Sequence, residues 1–317
     1  MMQQTPAVSF IVEVSFIRSM PMSITLLKPH TKDIGGFEVR RLLPAHAQKM
    51  VGPFIFFDHM GPAQLPPGSG MDVRPHPHIG LATVTYLFEG AIQHRDSVGS
   101  VQRIEPGAVN WMTAGHGIAH SERSPDDERA AGARLHGIQV WVALPKSHER
   151  TQPAFSHHPR ATIPLITLPG VDLHLIAGAA FGRTAPAPTH SPMFYLAVEM
   201  EARATFELPQ EHDARAVYAV SGEVIVGDTQ LPPLHMAVAK VSGPIRVAAN
   251  TPARLMLLGG DTLDGDRDIW WNFVASSDAL IDEASERWRT GAFPPVPGET
   301  EFIPLPPRRE PRVTFVP

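Results

Sequence analysis

Two pairs of metal-capable side chains bracket the stretch from Arg74 to Glu122. His76 and His78 lie in Arg74-Pro75-His76-Pro77-His78, and His120 and Glu122 lie in His120-Ser121-Glu122. Each pair is spaced i, i+2, and in a β-strand such residues point to the same face. Two neighbouring strands of this kind would bring three imidazoles and one carboxylate to a single point. That donor set suits a first-row transition metal such as iron and suits Ca²⁺ or Mg²⁺ poorly. A His-x-His alone carries little weight in a chain with 16 histidines, most of which belong by default on the surface or in satisfied core positions. The weight comes from its pairing with a His-x-Glu across a β-rich segment.

The intervening residues read as the strands that must position these pairs. Thr83-Val84-Thr85-Tyr86-Leu87-Phe88 is β-branched and aromatic, and Glu89-Gly90 turns it. Ile92 to Asp96 and Val101 to Ile104 alternate weakly, Glu105-Pro106-Gly107 turns the chain again, and Val109 to Thr113 is a further strand. Ala114-Gly115-His116-Gly117 forms a glycine-rich loop into the second pair. Short strands with Gly/Pro turns predict an antiparallel barrel or jelly roll, a group that includes the cupins.

Three runs carry a more specific signal: Pro53-Phe54-Ile55-Phe56-Phe57-Asp58-His59-Met60-Gly61-Pro62, then Arg74-Pro75-His76-Pro77-His78-Ile79-Gly80, then Trp111-Met112-Thr113-Ala114-Gly115-His116-Gly117-Ile118-Ala119-His120-Ser121-Glu122. Together they resemble the pirin family, from about Thr25 to the C-terminus and more closely in the first half. The resemblance implies an all-β chain of two cupin jelly-roll barrels in tandem with a mononuclear iron in the first, held by His76, His78, His120 and Glu122. Two features depart from the general cupin pattern. No Glu follows His-x-His within Ile79 to Thr83, and Asn110 stands where the second motif usually has its His. The pirin pattern accounts for the second departure, because its third His comes later, beside the Glu.

By the same resemblance, the activity is that of a quercetin 2,3-dioxygenase, the O₂-dependent cleavage of a flavonol or similar phenolic. Glu122 is then the catalytic proton acceptor as well as a ligand. His116, His59 and His94 are candidates to stand behind the ligands, although His59 is expected to fix a loop through backbone hydrogen bonds. Fe²⁺ is the expected cofactor, and Mn, Ni or Zn would also accept imidazole ligands. The alternative reading is an iron-dependent redox-sensing partner of a transcription regulator or metabolic enzyme. A sugar-phosphate isomerase is a third; it needs cations by the metal, for which Arg74, Arg95, Arg103 and Arg123 are the candidates.

The chain has 317 residues, enough for two domains of ordinary size. A net charge of −5 and a pI near 6.3 argue against direct nucleic-acid binding. The absence of cysteine excludes disulfides, Cys-ligated zinc and thiol catalysis. No apolar run approaches the length of a membrane span, and residues 1–22 make a poor signal peptide because Glu13 interrupts them, so a cytoplasmic protein is expected. Residues 1–22 read as a leader outside the family pattern, with Met20 or Met22 as the natural start. Residues 23–150 read as the metal-binding cupin and 151–317 as a metal-free cupin, which has neither His-x-His nor His-x-Glu. His157, His158, His212 and His235 are expected on the surface, and Asp126 to Arg129 in a charged loop. Leu280, Ile281, Ala284 and Trp288 predict a C-terminal helix, with Ser276 or Ser277 before it and Gly291 after it. Pro294 to Pro307 reads as an extended tail.

Overall fold

The structure, a computed structural model, describes residues 23–34, 37–240, 242–307 and 313–316. The expected leader, residues 1–22, lies outside the described residues. The first strand is β1 (Ser23–Leu27). There follow β2 (His30–Asp33), β3 (Glu38–Leu43), β4 (Phe54–Gln64), β5 (Asp72–His78), β6 (Leu81–Glu89), β7 (Ile92–Asp96), β8 (Val101–Ile104), β9 (Val109–Thr113), β10 (Ile118–Arg123), α1 (Asp126–Ala131), β11 (Arg134–Ala143) and β12 (Ala154–His158). The charged segment expected as a loop is therefore a short helix, α1, with Asp126, Asp127 and Glu128 at its positive end.

These strands form two antiparallel sheets, one in the order β5-β10-β7-β8 and the other β12-β9-β6-β11-β4-β3-β2. Alternation on the larger sheet decides what each face does. Val84, Tyr86, Trp111, Ile138 and Val140 point away from the smaller sheet into an apolar joint with the second half. Thr85 and Gln139 point toward the smaller sheet, where both reach Glu122. The barrel thus has a polar middle between two apolar clusters, one containing Ile55, Leu81, Met112 and Trp141, the other Met60, Leu87, Ile92 and Leu135.

The second barrel comprises β13 (Leu165–Leu168), β14 (Val171–Ala180), β15 (Arg183–Thr184), β16 (Met193–Met200), β17 (Thr205–Leu208), β18 (Ala214–Ser221), β19 (Val224–Val226), β20 (Thr229–Leu231), β21 (Met236–Lys240), β22 (Ile245–Ala249) and β23 (Ala253–Gly260). Its interior is a single apolar cluster that includes Leu175, Leu196, Phe206, Val217, Leu231, Val247 and Leu257. Among the described residues, every fully buried His, Asp and Glu lies between Asp58 and His136, in the first barrel.

Strand pairing crosses between residues 23–150 and 151–317. β1 pairs with β21 and so belongs to the second barrel's sheet. β12 pairs with β9 in the first barrel's sheet. The residues after β23 also return to the first barrel, as β24 (Arg267–Trp270), β25 (Phe273–Ala275), α2 (Asp278–Arg289) and β26 (Val313–Phe315). Val274 and Phe315 complete the apolar cluster around Leu81 and Met112, and Val274 N–H donates to Ile79 C=O at 3.2 Å. Gly80 makes that approach feasible: its φ is +67°, and a Cβ there would lie 1.9 Å from the Val274 carbonyl oxygen.

The predicted helix is α2. It buries Ile281 and Ala284 against Ile79, Phe273 and Phe293. Ser277 occupies the N-cap position without a side-chain cap bond, and Ser276 Oγ instead donates to Glu149 at 2.7 Å. Gly291, at φ +72°, ends the helix as expected. The proline-rich tail is fastened to the first barrel rather than loosely draped: Ile303 N–H donates to Pro75 C=O at 2.7 Å, and Trp288 Nε1–H donates to Ile303 C=O at 3.0 Å. No helix among the described residues is long and apolar enough to cross a membrane.

Candidate metal centre

β5 and β10 are antiparallel neighbours, with His120 opposite His76 and Ile118 opposite His78. His76, His78 and His120 therefore share the inner face of the smaller sheet. The register shifts between His120 and Glu122, so that Glu122 stands opposite Val73. β5 carries the extra residue, in the segment Arg74-Pro75, where a proline has no N–H to offer the ladder.

The ligand atoms of His76, His78 and His120 all lie within 4.8 Å of one another. His78 Nε2 and His120 Nε2 are 3.1 Å apart. Two nitrogens each about 2.1 Å from one ion, at close to a right angle, would show that spacing. His76 Nδ1–H donates to Arg74 C=O at 2.9 Å, which leaves the Nε2 lone pair free. Burial pushes all three imidazoles below their ordinary pKa, His78 and His120 well below it. The Arg74 carbonyl and the nearby Glu122 charge oppose the shift at His76, whereas neighbouring imidazoles reinforce it at His78 and His120. The Asn272 backbone opposes the shift at His78 but is not placed to close an ordinary hydrogen bond, so His78 Nδ1 has no partner. Three neutral, converging imidazoles fit a transition metal and leave coordination positions open.

Glu122 stands outside this group of three. Its carboxylate accepts from Gln139 Nε2–H at 2.9 and 2.8 Å, one bond to each oxygen, and from Thr85 Oγ–H at 3.3 Å. His76 and Glu122 are 7% and 6% exposed, whereas His78 and His120 are each 1% exposed.

The other candidates go to different places. His94 sits opposite Glu122 on β7, within reach of His120: the two Nδ1 atoms are 3.4 Å apart. His116 contacts Gln152 at 3.1 Å, and its backbone N–H donates to Thr151 C=O. His59, expected to bond a loop backbone, lies within the long strand β4; its Nδ1 is 2.6 Å from the Tyr218 hydroxyl and its Nε2 is 2.8 Å from His136 Nε2. It therefore belongs to the joint between barrels. His157 and His212, expected on the surface, are partly buried: His157 Nδ1 is 2.7 Å from Asn110 Oδ1, and His212 pairs with Asp261 at 3.1 Å. Arg103 and Arg123 are engaged by carboxylates, Arg103 by Asp127 and Glu128, and Arg123 by Glu299 and Asp72. These pairings remove two of the four cations that a phosphate-binding reading requires.

Sequence reasoning missed Gln139, Thr85, Asp96 and Phe155. The available signal was polarity in the wrong place: Gln139 interrupts an apolar strand, and Thr85 alternates with Val84 and Tyr86.

Two jelly-roll barrels side by side, one with three converging imidazoles and one apolar, define a bicupin with a single candidate metal barrel. The chain belongs to the pirin family: residues 36–142 match the family model described as pirin, and residues 195–294 match the pirin C-terminal cupin domain. It is 49% identical over 279 residues to a pirin-like protein of Caulobacter vibrioides, covering 87% of this chain and 96% of that one. Rat pirin is 31% identical over 274 residues, covering 84% and 91%. The crystal structure of a quercetin 2,3-dioxygenase from Acinetobacter baumannii superposes with a TM-score of 0.84 at 31% identity, covering 91% of this chain and 97% of that one.

Proposed function

We propose that this protein is a mononuclear iron dioxygenase of the quercetin 2,3-dioxygenase type, cleaving a flavonol or similar phenolic with O₂. The observation that carries the reading is the set of three neutral, converging, buried imidazoles beside a buried carboxylate. The likeness to the Acinetobacter baumannii enzyme supports the substrate class. His76, His78 and His120 are the permanent ligands. When bound, the metal supplies a Lewis acid for the substrate hydroxyl and a redox centre for O₂ chemistry.

The chain's own groups do the rest. Glu122 would be a fourth ligand and would accept the substrate's hydroxyl proton. Gln139 and Thr85 hold its carboxylate in place. A substrate hydroxyl placed beside the three imidazoles would meet the Glu122 carboxylate. Trp141, edge-on to His78 at 5.1 Å and stacked on Phe56 at 4.1 Å, packs an apolar wall against the imidazoles.

The test is anaerobic addition of quercetin to iron-loaded protein, followed by O₂, monitored at the flavonol absorption band. A shift on binding and a decay with O₂, both lost in His76→Ala, are expected. A spectrum unchanged throughout overturns the proposal and favours the partner-binding alternative.

A further inference from the structure

Behind His120 lies a run of buried groups that the dioxygenase reading does not use. We propose that Asp96 and His94 form a directional hydrogen-bond relay that fixes the tautomer and orientation of His120 and sets its strength as a metal ligand. The inference rests on the metal-binding part of the proposed function and is independent of the substrate.

The register places the parts. β10 runs between β5 and β7, with His120 opposite Asp96 and Glu122 opposite His94. All four side chains are buried, and Asp96 is wholly so. Asp96 Oδ1 accepts backbone N–H bonds from Val98 at 3.0 Å and Ser100 at 2.9 Å, which fixes the plane of its carboxylate. Asp96 Oδ2 is then aimed at His94 Nε2, 2.9 Å away. His94 is held flat by Phe155, whose ring stacks on it at 4.4 Å and 16°. The other nitrogen of His94, Nδ1, faces His120 Nδ1 at 3.4 Å.

With His120 Nε2 left bare for a metal, one proton arrangement satisfies this line of atoms. A carboxylate accepts and does not donate, so His94 Nε2 must carry the hydrogen. Of the His94 forms that bond Asp96 through Nε2–H, only the one with a bare Nδ1 can accept from His120 Nδ1–H. His120 Nδ1 must therefore carry its own hydrogen, which frees His120 Nε2 to bind the metal beside His78 Nε2. The relay thus selects the tautomer that metal binding at Nε2 requires. It also raises the basicity of His120, as the outer partner of a ligating imidazole does in general. At 3.4 Å the last link is long, so it orients the ring and favours this tautomer through a weak hydrogen bond.

His94 and Asp96 are positioning residues, and the first test reads protons directly. Two-bond ¹H–¹⁵N correlation spectra of the zinc-loaded protein report which ring nitrogen of each histidine is protonated. The expected result is Nε2–H on His94 and Nδ1–H on His120. His94 with its hydrogen on Nδ1 would overturn the relay even though zinc is bound. Failure of the parent protein to bind zinc would overturn both the relay and the metal reading, so the two failures are distinguishable.

The variant Asp96→Asn provides a second readout. Its carbonyl oxygen would keep the Val98 and Ser100 bonds, leaving an NH₂ group facing His94 Nε2. That inverts the tautomer of His94 and sets two N–H groups against each other at His120, with almost no change in volume. Zinc affinity, measured by chelator competition, should fall about 10- to 100-fold. In iron-loaded protein, Fe(III) should lose about tenfold more affinity than Fe(II), raising the potential by about 59 mV. Parental affinity and potential in a folded Asp96→Asn protein would overturn the proposal. Should that variant fail to fold, the tautomer spectra of the parent still decide.

Discussion

At the residue scale, the metal centre separates groups that bind from groups that act. His76→Ala removes one of three ligands but no part of the apolar clusters on either side. Metal content should fall to background, while the melting temperature of the metal-free protein stays within roughly 5 °C of the metal-free parent, a shift worth at most a couple of kcal/mol for a chain of this size. Calorimetry with metal analysis checks both, and an unfolded variant would mean that the imidazoles hold the barrel together. Glu122→Gln should retain metal through the three histidines and lose about 10²- to 10⁴-fold in turnover, the range of a lost general base. Gln139→Leu removes the amide that bonds both Glu122 oxygens. It should destabilise the metal-free protein by about 1.5–3 kcal/mol, the value of hydrogen bonds to a buried charged group. Urea unfolding of Gln139→Leu and of Gln139→Leu/Glu122→Leu separates this from lost packing, because removing both partners should restore part of the stability.

At the element scale, the joint between the two large sheets contains a buried polar line through Tyr218, His59 and His136. Burial pushes the His59 pKa down to about 3, with the His136 and Arg40 charges adding to it. A pKa depressed in the folded state means the unfolded chain binds the proton first. His59 therefore costs no stability above about pH 6.5 and destabilises progressively as pH falls from there toward 3. The slope from this one proton is about 1.4 kcal/mol per pH unit. Urea-derived stabilities at several pH values should show a slope shallower by one proton in His59→Leu than in the parent, whatever the offset at neutral pH. Equal slopes would mean that His59 titrates normally in the fold. Gly80 marks a second element-scale constraint, because any side chain there strikes the Val274 carbonyl. Gly80→Ala should cost more than about 1 kcal/mol and loosen the C-terminal segment, detectable as faster amide exchange at Val274.

At the scale of the molecule, neither half is self-sufficient. The outer face of the first barrel's large sheet is apolar and covered by the second barrel, and β1 and β12 each cross to the other half's sheet. The C-terminal residues then return to plug the first barrel with Val274 and Phe315. A fragment of residues 23–150 would expose a contiguous apolar face well above the few hundred Å² tolerated on a soluble monomer. It should aggregate on expression, and a monomeric fragment with a sharp unfolding transition would contradict this packing.

Much of this was legible in the chain itself. Strand alternation, the i, i+2 pairs and the missing motif in the second half are local properties, and the polypeptide geometry translates them directly into faces of strands. On that basis the sequence by itself determined the barrel class, the three histidines and the terminal helix. Tertiary structure alone decided which polar side chains stand behind them. Gln139, Asp96 and Phe155 reach Glu122 or His94 from other strands or another residue of the same strand, and they are aligned by strand registers that no local pattern encodes. His59 and His116 show the same limit from the other side. Nearness to the motif along the chain placed them among the candidates, but strand direction sends His59 into the joint and loop closure sends His116 to Gln152. The second barrel's claim on β1 and the first barrel's claim on β12 and the C-terminal segment are likewise non-local. Apolar faces were visible in the sequence, but the surface that covers each one is chosen only when the whole chain packs.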